Sequence, residues 1–230
     1  MREALAQLAR AAGRMLLALA LIGAAASGAV LALFTAPVFE LLGFHPVAID
    51  YLDGRISRAG LEQMVIMGRT FGRTQIDHFD DVAALLQRLS WVFAASVAII
   101  AAALAFARRL VRPAASLAFV GLALAAVAVV AAYLIYGFLP VGVFFHTVVF
   151  PQGNWSFPWH SLIITLYGTD VMLRGALFVI GLGLTILVAA YVATRRMPRR
   201  GESGNTASRA ERGDAGQRQV EDDRRSALGP

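Results

Sequence analysis

The chain has 230 residues, 58% of them hydrophobic and 16% charged, with a formal net charge of +6 and a mean hydropathy of +0.64. A soluble domain usually carries about 25% charged residues, and here the apolar residues fall in blocks, which argues for several membrane spans. The absence of cysteine excludes a disulfide framework, a thiol nucleophile, a thiolate metal site, covalent haem attachment and a lipid-bearing cysteine on the chain itself. An isoelectric point near 10.7 would suit nucleic acid in a soluble protein. Beside long apolar runs, basic charge reports membrane topology instead, so no nucleic-acid partner is expected.

Residues 1–14 form a short basic N-terminus with Arg2, Arg10 and Arg14, followed by a first predicted span over 15–37 that stops at Pro37. Small residues in Gly23–Ala29 also fit a cleaved signal peptide. The apolar run, however, continues for about seven residues beyond Ala29, too long for a signal h-region, and an uncleaved span is expected. Residues 38–88 form an outer segment whose last part reads as an amphipathic helix, with Ile76, Phe79, Ala83 and Leu86 at three- and four-residue steps. Thr74 is its expected N-cap, and Asp77 in the first turn suits the helix dipole.

A second span is predicted over 89–107, a short inner loop with Arg108, Arg109 and Arg112 over 108–113, and a third span over 114–138, after Pro113. Residues 139–173 form a second outer segment. From Pro113 to Thr169 there is no charged residue, and Pro140, Pro151, Gly153 and Pro158 predict a turn-rich, aromatic stretch at the membrane interface. The fourth span covers 174–194. The tail, 195–230, opens with arginines and is then polar and Gly-rich; it cannot bury enough apolar surface to offset ordering and is expected to be disordered. Each span supplies the ~20 residues that a bilayer core requires.

Arginine placement sets the expected orientation. The N-terminus, the 108–113 loop and the start of the tail are all arginine-bearing and lie on one side, the cytoplasmic one. The outer segment 38–88 has five arginines against seven carboxylates. The fold class is therefore an all-α integral membrane protein of four transmembrane helices, with a small extracytoplasmic element built from the two outer segments.

All four histidines, His45, His78, His146 and His160, fall on that outer side. His78 and Asp81, three apart, share a helix face, where a carboxylate can orient an imidazole for proton transfer. The same spacing also fits a solvated helix face. His146 is flanked by apolar residues at the membrane boundary, where ionisable groups are functional candidates; Trp155 and Trp159 also fit an ordinary interfacial aromatic belt. No G-x-S-x-G, H-E-x-x-H or Gly-rich phosphate loop is present, and Gly181 and Gly183 read as helix packing positions. No histidine pair has ligand spacing on one helix, so no metal is expected. A b-type cytochrome would need histidines within the spans, and His78 is read as lying about a dozen residues outside its own.

His78-Phe-Asp-Asp-Val resembles the H-x-x-D-V motif of the lipoprotein intramolecular transacylase family of bacterial membrane proteins. Phe145-His146 with Phe150, Asn154-Trp155, Phe157-Pro158 and Leu162-Ile163 resembles that family's second motif, over a likeness spanning about residues 10 to 195. Gln75 stands where the family often has glutamate, and Ser161 near where many members have aspartate. The resemblance implies a cofactor-free acyltransferase of the bacterial cytoplasmic membrane, with both termini cytoplasmic and the active site extracytoplasmic. Its substrate would be the diacylglyceryl-cysteine at a lipoprotein N-terminus, reached among membrane lipid. His78 and His146 would be catalytic, and Asp81, Asn154 and Trp155 supporting. The alternative from the residues alone is a non-enzymatic four-span scaffold or binding protein.

Overall fold

A computed structural model describes residues 1–196. The predicted tail lies outside the described residues, except for its first two. Four long apolar helices have the length to cross a membrane: α1 (Arg2–Leu33), α5 (Arg73–Phe106), α6 (Arg108–Tyr136) and α9 (Thr169–Arg196). The shortest has 28 residues, which at 1.5 Å per residue exceeds a bilayer core of ~30 Å. Short helices connect them: α2 (Ala36–Leu41), α3 (Val47–Leu52) and α4 (Arg58–Gln63) before α5, then α7 (Phe138–Val149) and α8 (Leu162–Leu166) before α9.

Small residues bring the long helices together. A Cβ on Gly23 of α1 would meet Ser96 Oγ of α5 at 2.8 Å, and one on Gly28 would meet Phe93 at 3.0 Å. Lipid chains are as apolar as leucine, so close packing of this kind holds spans together where the hydrophobic effect cannot. On another side of α1, Leu17, Leu21 and Ala25 share a core with Val111, Ala114 and Ala118 of α6 and Leu187 of α9. Large apolar side chains such as Trp91, Leu124, Val127, Leu134 and Leu177 stay exposed, as a lipid-facing surface requires.

Gly13 faces Leu110, while Gly175 faces Leu33 and Phe44. The start of α1 and the start of α6 therefore share one end of the bundle, and the start of α9 meets the end of α1 at the other. A second core occupies that other end, where Phe39, Phe44, Ile49, Leu61, Ile76, Phe79, Leu162 and Tyr167 are buried together. Phe39 and Phe44 stack at 4.4 Å. The Tyr167 hydroxyl donates to the His45 carbonyl at 2.9 Å and accepts from the Ala48 amide at 3.1 Å, tying α8 to α3.

Several boundaries differ from the sequence expectation. The amphipathic stretch and the second span are one helix, α5, so His78 lies on the same continuous helix as that span. Its N-cap is Gly72, not Thr74; the Gly72 carbonyl already accepts from Gln75 and Ile76. Residues 108–113 are not a loop. Only Ala107 separates α5 from α6, and Pro113 lies inside α6, where it deprives the carbonyl of exposed Arg109 of its helical donor. Helix α7 occupies the start of the segment read as turn-rich. Gly137, at φ +83°, makes the break from α6, and Pro140 falls third in α7, where an amide has no helical acceptor to lose. The fourth long helix starts at Thr169, ahead of the expected 174.

Candidate active site

The site gathers where the first turns of α5 meet α7 and the turns that follow it. His78 lies two turns into α5, well before the predicted span at Leu89, and is only 8% exposed. The edges of Phe150 and Phe157 pack on its ring, at centroid distances of 4.9 and 5.5 Å. Burial in this aromatic setting disfavours the imidazolium and lowers the His78 pKa from its ordinary 6.5 to about 4. The nearby His146 adds to the shift, and Asp81 opposes it. His78 is thus a neutral imidazole at pH 7.

His146 comes from the last turn of α7, and its ring centroid lies 6.3 Å from that of His78. Its Nδ1 bonds the carbonyl of Gly142, one turn back, at 2.8 Å. A carbonyl only accepts, so Nδ1 carries the hydrogen and Nε2 of the neutral ring is left with its lone pair. Phe145, Phe150 and Trp155 surround the ring at 5.8, 5.9 and 5.3 Å. Trp155 is held in turn by a hydrogen bond from its Nε1 to the Phe150 carbonyl, 3.1 Å long.

Asp81 has different partners from those its spacing implied. Its Oδ2 accepts from Gln152 Nε2 at 2.7 Å and from Asn154 Nδ2, whereas His78 Nδ1 has no hydrogen-bond partner. The carboxylate clasps the turn after α7 to α5, and this turn carries Trp155 against His146. From the same turns of α5, Asp77 and Asp80 bind Arg58 of α4, and Asp80 also accepts from the Tyr51 hydroxyl of α3. These bonds fix the outer helices to the turns that bear His78.

The other two histidines do not join the pair. His45 Nδ1 accepts from the Val47 amide at 3.3 Å, at the start of α3. The His160 carbonyl accepts from Arg69, and its ring lies against Trp159. Ser161 caps α8 by accepting from the Ile164 amide. Among the described residues, no group of three His, Asp or Glu side chains is arranged to hold a metal ion.

Two histidines among packed aromatic rings, next to a bundle with exposed apolar side chains, suit proton transfer on a lipid-borne substrate. The model of the family described as lipoprotein intramolecular transacylase Lit matches residues 43–169, more than half of the chain and all of this site. The chain belongs to the lipoprotein intramolecular transacylase family. The acyltransferase expected from the two histidine motifs is the family's class of enzyme. Two solved structures of the Bacillus cereus transacylase share the fold at 15% identity. One has a TM-score of 0.60, covering 82% of this chain and 95% of that one. The other, a variant with one histidine replaced by arginine, has a TM-score of 0.53 and covers 84% and 92%. No curated protein matches.

Within this site, the motif reading missed Gln152 and Gly142. Gln152 is polar in an uncharged aromatic stretch, which is a usable signal. The role of Gly142 becomes visible only once Pro140 is recognised as a first-turn residue of a helix, which puts position 142 one turn before His146.

Proposed function

We propose that this chain moves an acyl chain from a glycerol ester to the α-amino group of the same N-terminal diacylglyceryl-cysteine of a bacterial lipoprotein. The observation that carries this reading is the His78–His146 pair, 6.3 Å apart among aromatic rings, in a chain of the transacylase family. In the reaction the amine nitrogen bonds to the ester carbonyl carbon and loses one proton. The bond from that carbon to the glycerol oxygen breaks, and the oxygen leaves as an alcohol. The product is an N-acyl lyso-form, and no water, oxidant or second substrate is consumed.

His146 suits the base, because the Gly142 carbonyl holds its Nδ1–H and leaves the Nε2 lone pair for the amine proton. His78, neutral in its aromatic setting, suits a donor to the ester oxygen as negative charge develops there. Amine and ester belong to one molecule, so much of the barrier is orientation, which a shaped pocket can supply. Phe145, Phe150 and Trp155 limit water around His146 and favour the amine over hydrolysis. The exposed apolar side chains of Leu139, Phe144 and Val148 on α7 would lie along the substrate's acyl chains. The arginine pattern supports a site on the extracytoplasmic face of the cytoplasmic membrane, with both termini inside.

The test replaces each histidine in a host that makes only diacylated lipoprotein and follows the N-terminal lipopeptide by mass spectrometry. His78→Ala and His146→Ala should each lower lyso-form output by about 100-fold or more, the scale of general acid–base catalysis. Full lyso-form product from either variant would overturn the assignment.

A further inference from the structure

Three buried side-chain atoms among the described residues lack a hydrogen-bond partner, Gln75 Oε1, His78 Nδ1 and Asn154 Oδ1, and all three belong to one neighbourhood. Gln75 and His78 are three residues apart on α5, a spacing that puts neighbouring side chains on the same helix face. Asn154 is bound through its Nδ2 to Asp81, three residues further along. Along α5, His78 thus lies between Gln75 and Asp81, the residue that holds Asn154. Leaving a buried acceptor unmade is costly, and folded proteins rarely do so without a reason such as a missing ligand.

The substrate chemistry narrows what that ligand group is. The ester oxygens and thioether sulfur of a diacylglyceryl-cysteine only accept hydrogen bonds, and the acyl chains do neither. Its donors are the α-amine and the peptide N–H groups that follow. Gln75 lies one turn from His78, where the reacting end must sit. We infer that Gln75 is an amine-binding residue: its Oε1 accepts one N–H of the substrate's α-amino group. The second N–H is then left for His146 Nε2, and the nitrogen lone pair for the ester carbon. Asn154, whose amide nitrogen is committed to Asp81, offers its oxygen to the same end of the substrate.

This inference rests on the transacylase reading, and the experiment separates the two. Two probes are needed: a dialkyl-ether glyceryl-cysteine peptide, which cannot transfer a chain, and its des-amino counterpart. Binding is measured to the full chain in lipid nanodiscs, and wild-type lyso-form production is scored in parallel. Gln75→Met keeps the shape and removes the acceptor. It should weaken the amine-bearing probe about tenfold, the scale of one hydrogen bond from an amine, and leave the des-amino probe unchanged. Gln75→Glu keeps an acceptor oxygen and should retain the preference for the amine. Without ligand, Gln75→Met should melt at the same temperature as wild type or a few degrees higher, because an unsatisfied buried oxygen has been removed.

Equal weakening of both probes would reassign Gln75 to the peptide or to packing, and a fall in melting temperature would make it structural. Either outcome, or no change in binding, overturns the inference. If wild type makes the lyso-form normally, only the inference falls. If wild type neither makes the lyso-form nor binds the amine-bearing probe, the transacylase reading falls first.

Discussion

Asp81 accepts hydrogen bonds from Gln152 and Asn154, residues 71 and 73 positions further along the chain. The carboxylate is partly exposed, so its worth lies in geometry more than in raw Coulomb energy. With the clasp open, Trp155 loses its fixed place against His146, and a misplacement of about 1 Å can cost a hundredfold in rate. Asp81→Ala should therefore slow lyso-form appearance by about 10- to 100-fold, measured as initial rates by mass spectrometry. Asp81→Asn keeps an acceptor oxygen and should fall between this and wild type. An Asn variant as slow as Ala would mean that the negative charge, not the clasp, is what the site needs. The spacing of His78 and Asp81 put them on one helix face, which is legible in the sequence. The partners that actually take Asp81 come from another segment, and helical periodicity carries no information about them.

At the level of elements, the contact between α9 and the outer core is set by a missing side chain. A Cβ on Gly175 would lie 2.8 Å from Phe44 Cζ and 3.5 Å from Leu33. Phe44 is stacked on Phe39 and lies 6.2 Å from Tyr167, so it has little room to yield. Overpacking of this kind costs about 1–3 kcal/mol, and for a chain of this size each kcal/mol moves the melting temperature by about 2–4 °C. Gly175→Val should melt several degrees below wild type in detergent. Gly181→Ala on the same helix, with nothing within 4 Å of its added Cβ, should melt as wild type does. Equal melting of the two variants would show that α9 does not rely on this contact. The four long helices were readable because, in a chain this poor in charge, an apolar run of span length is seldom anything but a membrane helix. Helix α7 was not, because Pro140 reads as a breaker until the Gly137 break shows that it lies in a first helical turn. The pairing of His78 and His146 was legible as a shared outer side and as what the family resemblance implies; their distance depends on how α7 packs beside α5.

Across the whole molecule, two kinds of packing divide the work. The core shared by α1, α6 and α9 is made largely of Ala and Leu, which allows close approach of helices in lipid. The core behind the site is rich in aromatic residues and is stitched by Tyr167, Arg58 and Asp80, which holds the first turns of α5 in place. In the topology we propose, the bundle's basic end and its site end face opposite sides of the membrane. The positive-inside rule assigns the basic end to the cytoplasm. The chain contains no cysteine, so each introduced one is a unique label that needs no background removed. Thr70→Cys and Ser156→Cys, both at exposed positions of the outer segments, should react with a membrane-impermeant maleimide on intact spheroplasts. Ala4→Cys, exposed near the start of α1, should react only after permeabilisation. Labelling of position 4 in intact spheroplasts, with 70 and 156 protected, would invert the topology. The histidine pair would then face the cytoplasm, where a lipoprotein exported across the membrane could not reach it.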